Sequence, residues 1–179
     1  MVASPARVRA SEYGRLIVEF EIAVELGQSL APRPDGYTRD LVAAAVAAVR
    51  PAFELADDRG ADYTSLAAHA LQLIADNNWN EGAVLGQRRT DWRDLDLAAL
   101  TGVVTIDAEN VGSGSGSDLM GHPLDALAWL ANHASRRGRT IAAGEVAILG
   151  TLVTSKMPTA GQRLVFALEG FDPIELTIE

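Results

Sequence analysis

Apolar and polar residues alternate strictly along the segment 18–26. Successive side chains of a β-strand point to opposite faces, so this period of two predicts a strand with one apolar and one acidic face. The acidic face carries Glu19, Glu21 and Glu25. Two interpretations are open: an amphipathic strand whose acidic face meets water, or a strand on which Glu19 and Glu21 are oxygen ligands of a hard divalent cation.

Three segments carry helix signals. A helix is predicted over 39–49, with Thr38 as its N-cap and Pro51 as the residue that closes it. A second helix is predicted over 64–74, and it leads into a polar turn that ends at residue 80. The third, over 123–137, has proline at its first position and glycine directly after its last.

The remaining periodic segments read as strands. They cover 52–57, 82–87, 101–108, 146–149, 163–168 and 174–178. The alternating glycines and serines of 112–117 fit no phosphate-binding spacing, so a flexible connection is predicted there. Because strands and helices mix without regular βαβ alternation, the pattern favours an α+β fold with a curved or rolled sheet. One domain is expected over 15–179, after a loose lead-in over 1–14 without a clear period.

Composition narrows the class of protein. The formal net charge is −9 and the pI is near 4.8, which argues against a nucleic-acid partner. The chain has no cysteine, no signal-peptide pattern at its start and no apolar run of membrane-spanning length. We therefore expect a cytoplasmic protein without a membrane partner.

Elimination leaves oxygen-ligand chemistry as the main candidate. A cysteine nucleophile is impossible, and no serine lies in a nucleophile-elbow pattern. The three histidines, His69, His122 and His133, are far apart and lack zinc-type spacing, so surface or capping roles are predicted for them. Glu54 adds a carboxylate on the strand 52–57. Three converging carboxylates would repel one another unless a cation neutralised them, and oxygen-only ligands suit Mg²⁺ or Mn²⁺.

Several runs of the sequence then carry a family resemblance. They follow one another along most of the chain, from about residue 15 to residue 179: Val18–Gly27, Pro51–Arg59, Ile74–Asn80, Gly82–Gly86, Leu119–Asn132 and Ala143–Thr154. Together they resemble the 2-keto-4-pentenoate hydratase and 4-oxalocrotonate decarboxylase group of the fumarylacetoacetate hydrolase superfamily.

The resemblance implies a fold, a site and an activity. The implied fold is a mixed β-roll of the fumarylacetoacetate hydrolase C-terminal type with flanking helices. The implied metal ligands are Glu19, Glu21 and Glu54, with Mg²⁺ or Mn²⁺ as cofactor. Asp76 and Asn77 fall in a turn that resembles a pocket-lining segment of the family, so a substrate-positioning role is predicted for them; both are also ordinary turn-forming residues. The implied partners are a small 2-oxo acid as substrate and further copies of the chain in a homo-oligomer.

Departures from the family pattern keep several functions open. Family members carry a helical N-terminal part with a lysine used in proton transfer, whereas Lys156 is the single lysine here and is predicted to lie in a loop. Asn78, Trp79 and Asn80 also stand where small hydroxyl residues are common in the family.

The first hypothesis is a hydratase acting on an unsaturated 2-oxo or 2-hydroxydienoic acid, as in the catabolism of aromatic ring-cleavage products. The alternatives are a decarboxylase or C–C hydrolase of the same superfamily, and a truncated, non-catalytic subunit beside a full-length paralogue. A metal-free domain that binds a small molecule is a further possibility.

Overall fold

The computed structural model describes all residues from 1 to 179. Its helices are α1 (Arg39–Ala45), α2 (Ala70–Ala75) and α3 (Pro123–Arg136). Its strands are β1 (Val2–Ala3), β2 (Ala6–Val8), β3 (Leu16–Leu26), β4 (Val46–Asp57), β5 (Asn80–Leu85), β6 (Thr101–Ile106), β7 (Glu109–Ser115), β8 (Val146–Lys156), β9 (Arg163–Leu168) and β10 (Ile174–Ile178). Single turns of 3₁₀-helix lie at 10–12, 66–69, 77–79, 92–94 and 116–118. No helix combines the length and the apolar character needed to cross a membrane.

The strands form two five-stranded sheets with the orders β1-β5-β4-β3-β8 and β2-β10-β9-β6-β7. Each sheet is mixed, because β1 pairs parallel with β5 and β2 pairs parallel with β10, whereas the other pairings are antiparallel. The α+β class with mixed sheets and few helices is therefore confirmed.

The apolar face of β3 forms the centre of the core between the two sheets. Phe20 of β3 packs edge-on against Phe53 of β4 and Phe166 of β9, with ring centroids 5.8 and 5.9 Å apart. All three rings are fully buried. The predicted strand at 18–26 is confirmed, but its acidic face does not lie in water. Glu21 and Ala23 on that face are at most 1% exposed, so the interpretation as a solvated amphipathic strand is wrong.

The predicted helix over 39–49 ends early. Thr38 caps it as expected, but α1 stops at Ala45 and the chain continues directly into β4, which passes through Pro51. Proline lacks the N–H group that other residues donate within a sheet. Its carbonyl still accepts a hydrogen bond from the Gly86 N–H on the β5 side, and regular pairing with β5 begins only at Ala52. The missing N–H therefore falls at the point where the ladder with β5 ends.

The glycine–serine run was predicted as a flexible connection, and that prediction is wrong. Residues 109–115 form β7, which pairs along its length with β6. The glycines allow close packing: a Cβ atom on Gly114 would lie 1.8 Å from the carbonyl oxygen of Leu152 in the other sheet, and one on Gly116 would lie 1.8 Å from that of Leu97. This run has glycine because neighbouring backbone approaches it closely.

Other boundaries differ less. The loose lead-in is wrong for residues 2–3 and 6–8, which add one parallel strand to each sheet. The helix predicted over 64–74 is a 3₁₀ turn followed by the short α2, whereas the helix predicted over 123–137 is confirmed as α3. Lys156 ends β8 opposite Val18 and does not lie in a loop.

Candidate metal centre

Strand pairing brings three glutamates together. Glu19 lies directly opposite Glu54 in the antiparallel pair of β3 and β4, and Glu21 lies two residues further along the same face of β3. One carboxylate oxygen from each of the three residues lies within 4.8 Å of the others. The convergence expected from the sequence is thus present in the structure.

Glu21 occupies the inner end of this cluster. It is 1% exposed, and its Oε2 atom accepts a hydrogen bond of 2.7 Å from the Gly150 N–H. That donor is available because of an irregularity in β8: Glu21 pairs with Thr151 and Ala23 pairs with Ile148, so β8 carries one extra residue between them. Gly150 lies in this bulge with a φ of +116°, which favours glycine.

The outer carboxylates also have neighbours that orient them. The Asn80 amide at the start of β5 donates a hydrogen bond of 2.7 Å to Oε1 of Glu54. The Ser155 side chain near the end of β8 lines the same cavity as Glu19 and acts to lower the pKa of that carboxyl. Glu21 and Glu54 are therefore each held by one hydrogen-bond donor, and Glu19 has a polar neighbour. Such partners fix the orientation of metal ligands in known metal sites.

Burial and mutual repulsion alter the proton affinity of this cluster. Burial raises the pKa of Glu21 to about 9; the Gly150 N–H opposes this shift, and Glu54 and Glu19 add to it. Burial likewise raises the pKa of Glu19, with a further contribution from Glu54 and an opposing one from Ser155. In the absence of a cation, protons are therefore needed to relieve the repulsion.

The residues present fit a hard divalent cation. All the ligand atoms are carboxylate oxygens, no histidine lies in the cluster, and the buried Glu21 has no cationic side chain as its partner. Mg²⁺ and Mn²⁺ prefer oxygen ligands of this kind. Three carboxylates that each contribute one oxygen would leave about three of six octahedral positions for water or a chelating ligand.

A small cavity opens beside Glu19 and Glu54. Its volume is about 150 Å³. Apart from the two glutamates its lining is apolar, aromatic or neutral and polar, and it consists of Ile17, Ala56, Tyr63, Asn78, Trp79 and Ser155. The cavity therefore places the outer glutamates at one end of a pocket that has aromatic walls.

Asp76 and Asn77 do not line this cavity. Asp76 binds Arg59 at 3.3 Å and accepts a hydrogen bond from Gln72, on the outer side of the turn. Asn77 is exposed. The structure instead brings the next two residues of the turn, Asn78 and Trp79, to the cavity.

The remaining candidate side chains have structural partners. Glu25, on the same face of β3 as the cluster, binds Arg50 and Arg88 and is not a member of the cluster. His122 caps α3, because its Nδ1 atom accepts a hydrogen bond from the Leu124 N–H, as predicted. His133 stacks against Trp129 on the same helix.

Sequence reasoning missed Asn80, Ser155 and Gly150. Asn80 stands in the polar turn that was noted, but its contact with Glu54 depends on how β5 joins β4. Gly150 lies in a run that resembles the family and Ser155 directly follows that run, yet no sequence period shows a bulge in β8. Their roles follow from strand register alone, which the sequence pattern does not determine.

Comparisons with known proteins agree with this fold and site. The family model described as the C-terminal domain of fumarylacetoacetate (FAA) hydrolase matches residues 1–179. A 2-hydroxyhexa-2,4-dienoate hydratase from Comamonas testosteroni is 38% identical over 152 residues, which are 85% of this chain and 56% of that protein. A 4-oxalocrotonate decarboxylase from Pseudomonas putida is 30% identical over 157 residues, which are 88% of this chain and 58% of that protein.

Solved structures give the same result. A 4-oxalocrotonate decarboxylase from Pseudomonas putida, in complex with magnesium and adipate, superimposes with a TM-score of 0.89 at 25% identity, over 99% of this chain and 66% of that one. The mixed β-roll expected from the resemblance is therefore confirmed. The chain belongs to the fumarylacetoacetate hydrolase family, and it spans between half and three fifths of the length of the curated relatives it matches.

Proposed function

We propose that the protein is a divalent-metal-dependent hydratase of a small unsaturated 2-oxo or 2-hydroxydienoic acid. The observation that carries the proposal is the convergence of Glu19, Glu21 and Glu54 beside a cavity with aromatic walls. The names of the relatives support it, since both hydratases and decarboxylases of such acids are among them. We assign the three glutamates as ligands of Mg²⁺ or Mn²⁺.

The chemistry divides between the cation and the protein. A divalent cation at this position supplies Lewis-acid stabilisation of the negative charge that develops on a 2-oxo acid. Glu19, Glu21 and Glu54 would hold the cation, and Glu19 and Glu54 also line the cavity. The Asn80 amide orients Glu54, and the Gly150 N–H orients Glu21.

The remaining cavity residues bind the organic part of the substrate. The rings of Tyr63 and Trp79 offer flat apolar surfaces to a conjugated chain. Asn78 and Ser155 offer neutral polar groups at the same cavity. Of the two residues predicted to position the substrate, we retain Asp76 in a restricted sense: through Arg59 it holds the turn that carries Asn78 and Trp79. Asn77 is exposed and does not line the cavity.

Turnover of 2-hydroxypenta-2,4-dienoate tests the proposal. Addition of water to the diene removes its ultraviolet absorbance, and we expect this loss to require Mg²⁺ or Mn²⁺ and to stop when a chelator is added. Glu21→Gln should reduce the rate to background, whereas Asn77→Ala, at an exposed residue, should not. Absence of turnover under all these conditions would contradict the proposal.

A decarboxylase is the second candidate, because a 4-oxalocrotonate decarboxylase is among the relatives by sequence and by structure. Release of CO₂ from 4-oxalocrotonate, measured beside hydration of the dienoate, separates the two activities.

A subunit role predicts activity only after a paralogue is added, so activity of the chain alone would exclude it. A homo-oligomer and a cytoplasmic location remain predictions.

A further inference from the structure

The size of the cavity limits what it can hold. At about 150 Å³ it is as large as an engineered protein cavity that binds benzene, and well below the roughly 300–1,000 Å³ of common ligand sites. One end is occupied by Glu19 and Glu54. A ligand whose polar end lies at these residues therefore has room for only a few further atoms beside the aromatic wall of the cavity.

That wall is an aromatic pair. The rings of Tyr63 and Trp79 meet edge to face with their centroids 5.8 Å apart, and both line the cavity. Tyr63 is held from behind: its hydroxyl group donates a hydrogen bond of 2.7 Å to Asp58, which is buried, and the Arg15 guanidinium lies over its ring at 5.3 Å. Arg15 and Asp58 form an ion pair, so the wall has a fixed base.

The backbone at Trp79 is unusual for a bulky residue. Its φ is +67°, and it follows Asn77 and Asn78 at +53° and +51°. Asparagine accepts this left-handed region fairly well, but tryptophan rarely adopts it. Strained residues of this kind persist where the surrounding structure holds them, and they cluster at functional sites. Trp79 has this backbone conformation and lines the cavity.

The lining also lacks any cation. Beyond the two glutamates it contains two aliphatic residues, two aromatic residues, one asparagine and one serine. A second carboxylate on a ligand would find no basic partner in this lining, whereas an uncharged tail would find apolar contacts. The cavity therefore suits a tail that is short and uncharged.

We propose that the Tyr63–Trp79 pair determines specificity, limiting the substrate to a short, flat 2-oxo acid with one carboxylate and excluding long-chain and dicarboxylic acids. This inference rests on the proposed function, since it takes the chelating end of the acid to lie at the glutamates. It adds a selection rule that the metal ligands do not provide.

Displacement of bound oxalate by 2-oxo acids of different length and charge tests the proposed specificity. Oxalate has the chelating end and no tail, so its binding to the Mg²⁺-loaded protein reports on the metal site alone. We expect 2-oxopentanoate to displace oxalate at concentrations at least about tenfold lower than 2-oxooctanoate does, because pocket contacts discriminate chain length on this scale. The monocarboxylate 2-oxohexanoate should likewise displace oxalate more readily than the dicarboxylate 2-oxoadipate.

Two substitutions of Trp79 test whether this residue causes the chain-length preference. Trp79→Ala should reduce the length preference, measured against the oxalate affinity of the same variant, to less than about threefold. Trp79→Gly is a second test, because glycine accepts the left-handed backbone at this position. Trp129→Ala, on the exposed face of α3, is the matched control and should keep the preference. Oxalate binding without any length preference, or an unchanged preference in both Trp79 variants, would overturn this inference and leave the proposed function standing. Failure of oxalate to bind at all would overturn both.

Discussion

Asn80 and Glu54 show how single hydrogen bonds shape the centre. The Asn80 amide donates a hydrogen bond of 2.7 Å to one oxygen of Glu54, whose carboxylate lies in the cluster with Glu19 and Glu21. Partners of metal-ligating side chains commonly contribute 10–100-fold to metal affinity. Residues of this kind are part of the site although they do not touch the metal.

Replacement of Asn80 therefore has a defined effect. We expect Asn80→Ala to weaken Mn²⁺ binding by about 10–100-fold, measured by calorimetric titration, because Glu54 loses the donor that orients it. Asn77→Ala removes the same kind of side chain from an exposed position three residues away, so it should leave the affinity within about twofold. Equal affinities in both variants would contradict the assigned role of Asn80.

Glu21 makes the metal-free protein sensitive to pH. Its pKa lies at about 9 in the folded chain, compared with an ordinary value of 4.5. Between these two values the folded state holds a proton that the unfolded state has released, so the free energy of unfolding falls as the pH rises through this window. Divalent cations bind the deprotonated carboxylate, so metal binding at neutral pH should release about one proton.

Two measurements check this pH dependence. Denaturant unfolding of the metal-free protein at pH 5 and pH 8 should show a loss of stability at the higher pH that is clearly smaller in Glu21→Gln. Titration of metal into wild type in buffers with different ionisation enthalpies should show the released proton. The same loss of stability in wild type and variant would rule out Glu21 as its source.

Among the secondary-structure elements, the bulge in β8 orients a group of the site, and a close backbone contact of β7 packs the core. The bulge at Gly150 turns an N–H group towards Glu21, and Thr151 beside it accepts a hydrogen bond from the Phe20 N–H in place of a ladder bond. On the other side of β8, Gly114 of β7 lies against the Leu152 backbone. Strand β8 is therefore fixed from two sides, at the metal centre and at the second sheet.

Gly114→Ala tests this packing. A Cβ atom there would overlap the Leu152 carbonyl, so we expect the free energy of unfolding to fall by about 1–3 kcal/mol, measured by denaturant unfolding. Gly82→Ala is the matched control in β5, because a Cβ atom at Gly82 meets nothing within 4 Å. It should change stability by no more than about 0.5 kcal/mol. Comparable losses in both variants would show that glycine was not required for close packing.

At the scale of the whole molecule, sequence and structure agree where local pattern decides. The alternation in β3, the caps of α1 and α3, and the strands β9 and β10 follow from periodicity and end signals that act within a few residues. The convergence of Glu19, Glu21 and Glu54 was expected because two of them share one strand face and the third lies on a second predicted strand, and the family resemblance implied the same three residues.

The remaining features depend on contacts between distant segments. Pro51 continues a strand because the neighbouring ladder ends beside it, and the glycine–serine run is a strand because another backbone approaches it. The cavity wall combines Tyr63 and Trp79, which are brought together by the loop between β4 and β5. No local period encodes these arrangements, so they could not be predicted from the sequence pattern alone.

Strands β3 and β4 of one sheet bring three glutamates together, and we propose that these form one divalent-metal site for a chelating acid. The most direct test is calorimetric titration of Mg²⁺ or Mn²⁺ into the metal-free protein, followed by oxalate. We expect one metal site, oxalate binding only after metal is added, and loss of both in Glu19→Gln, Glu21→Gln and Glu54→Gln, but not in Glu25→Gln. Metal binding that survives all three replacements, or oxalate binding of equal strength without metal, would contradict it.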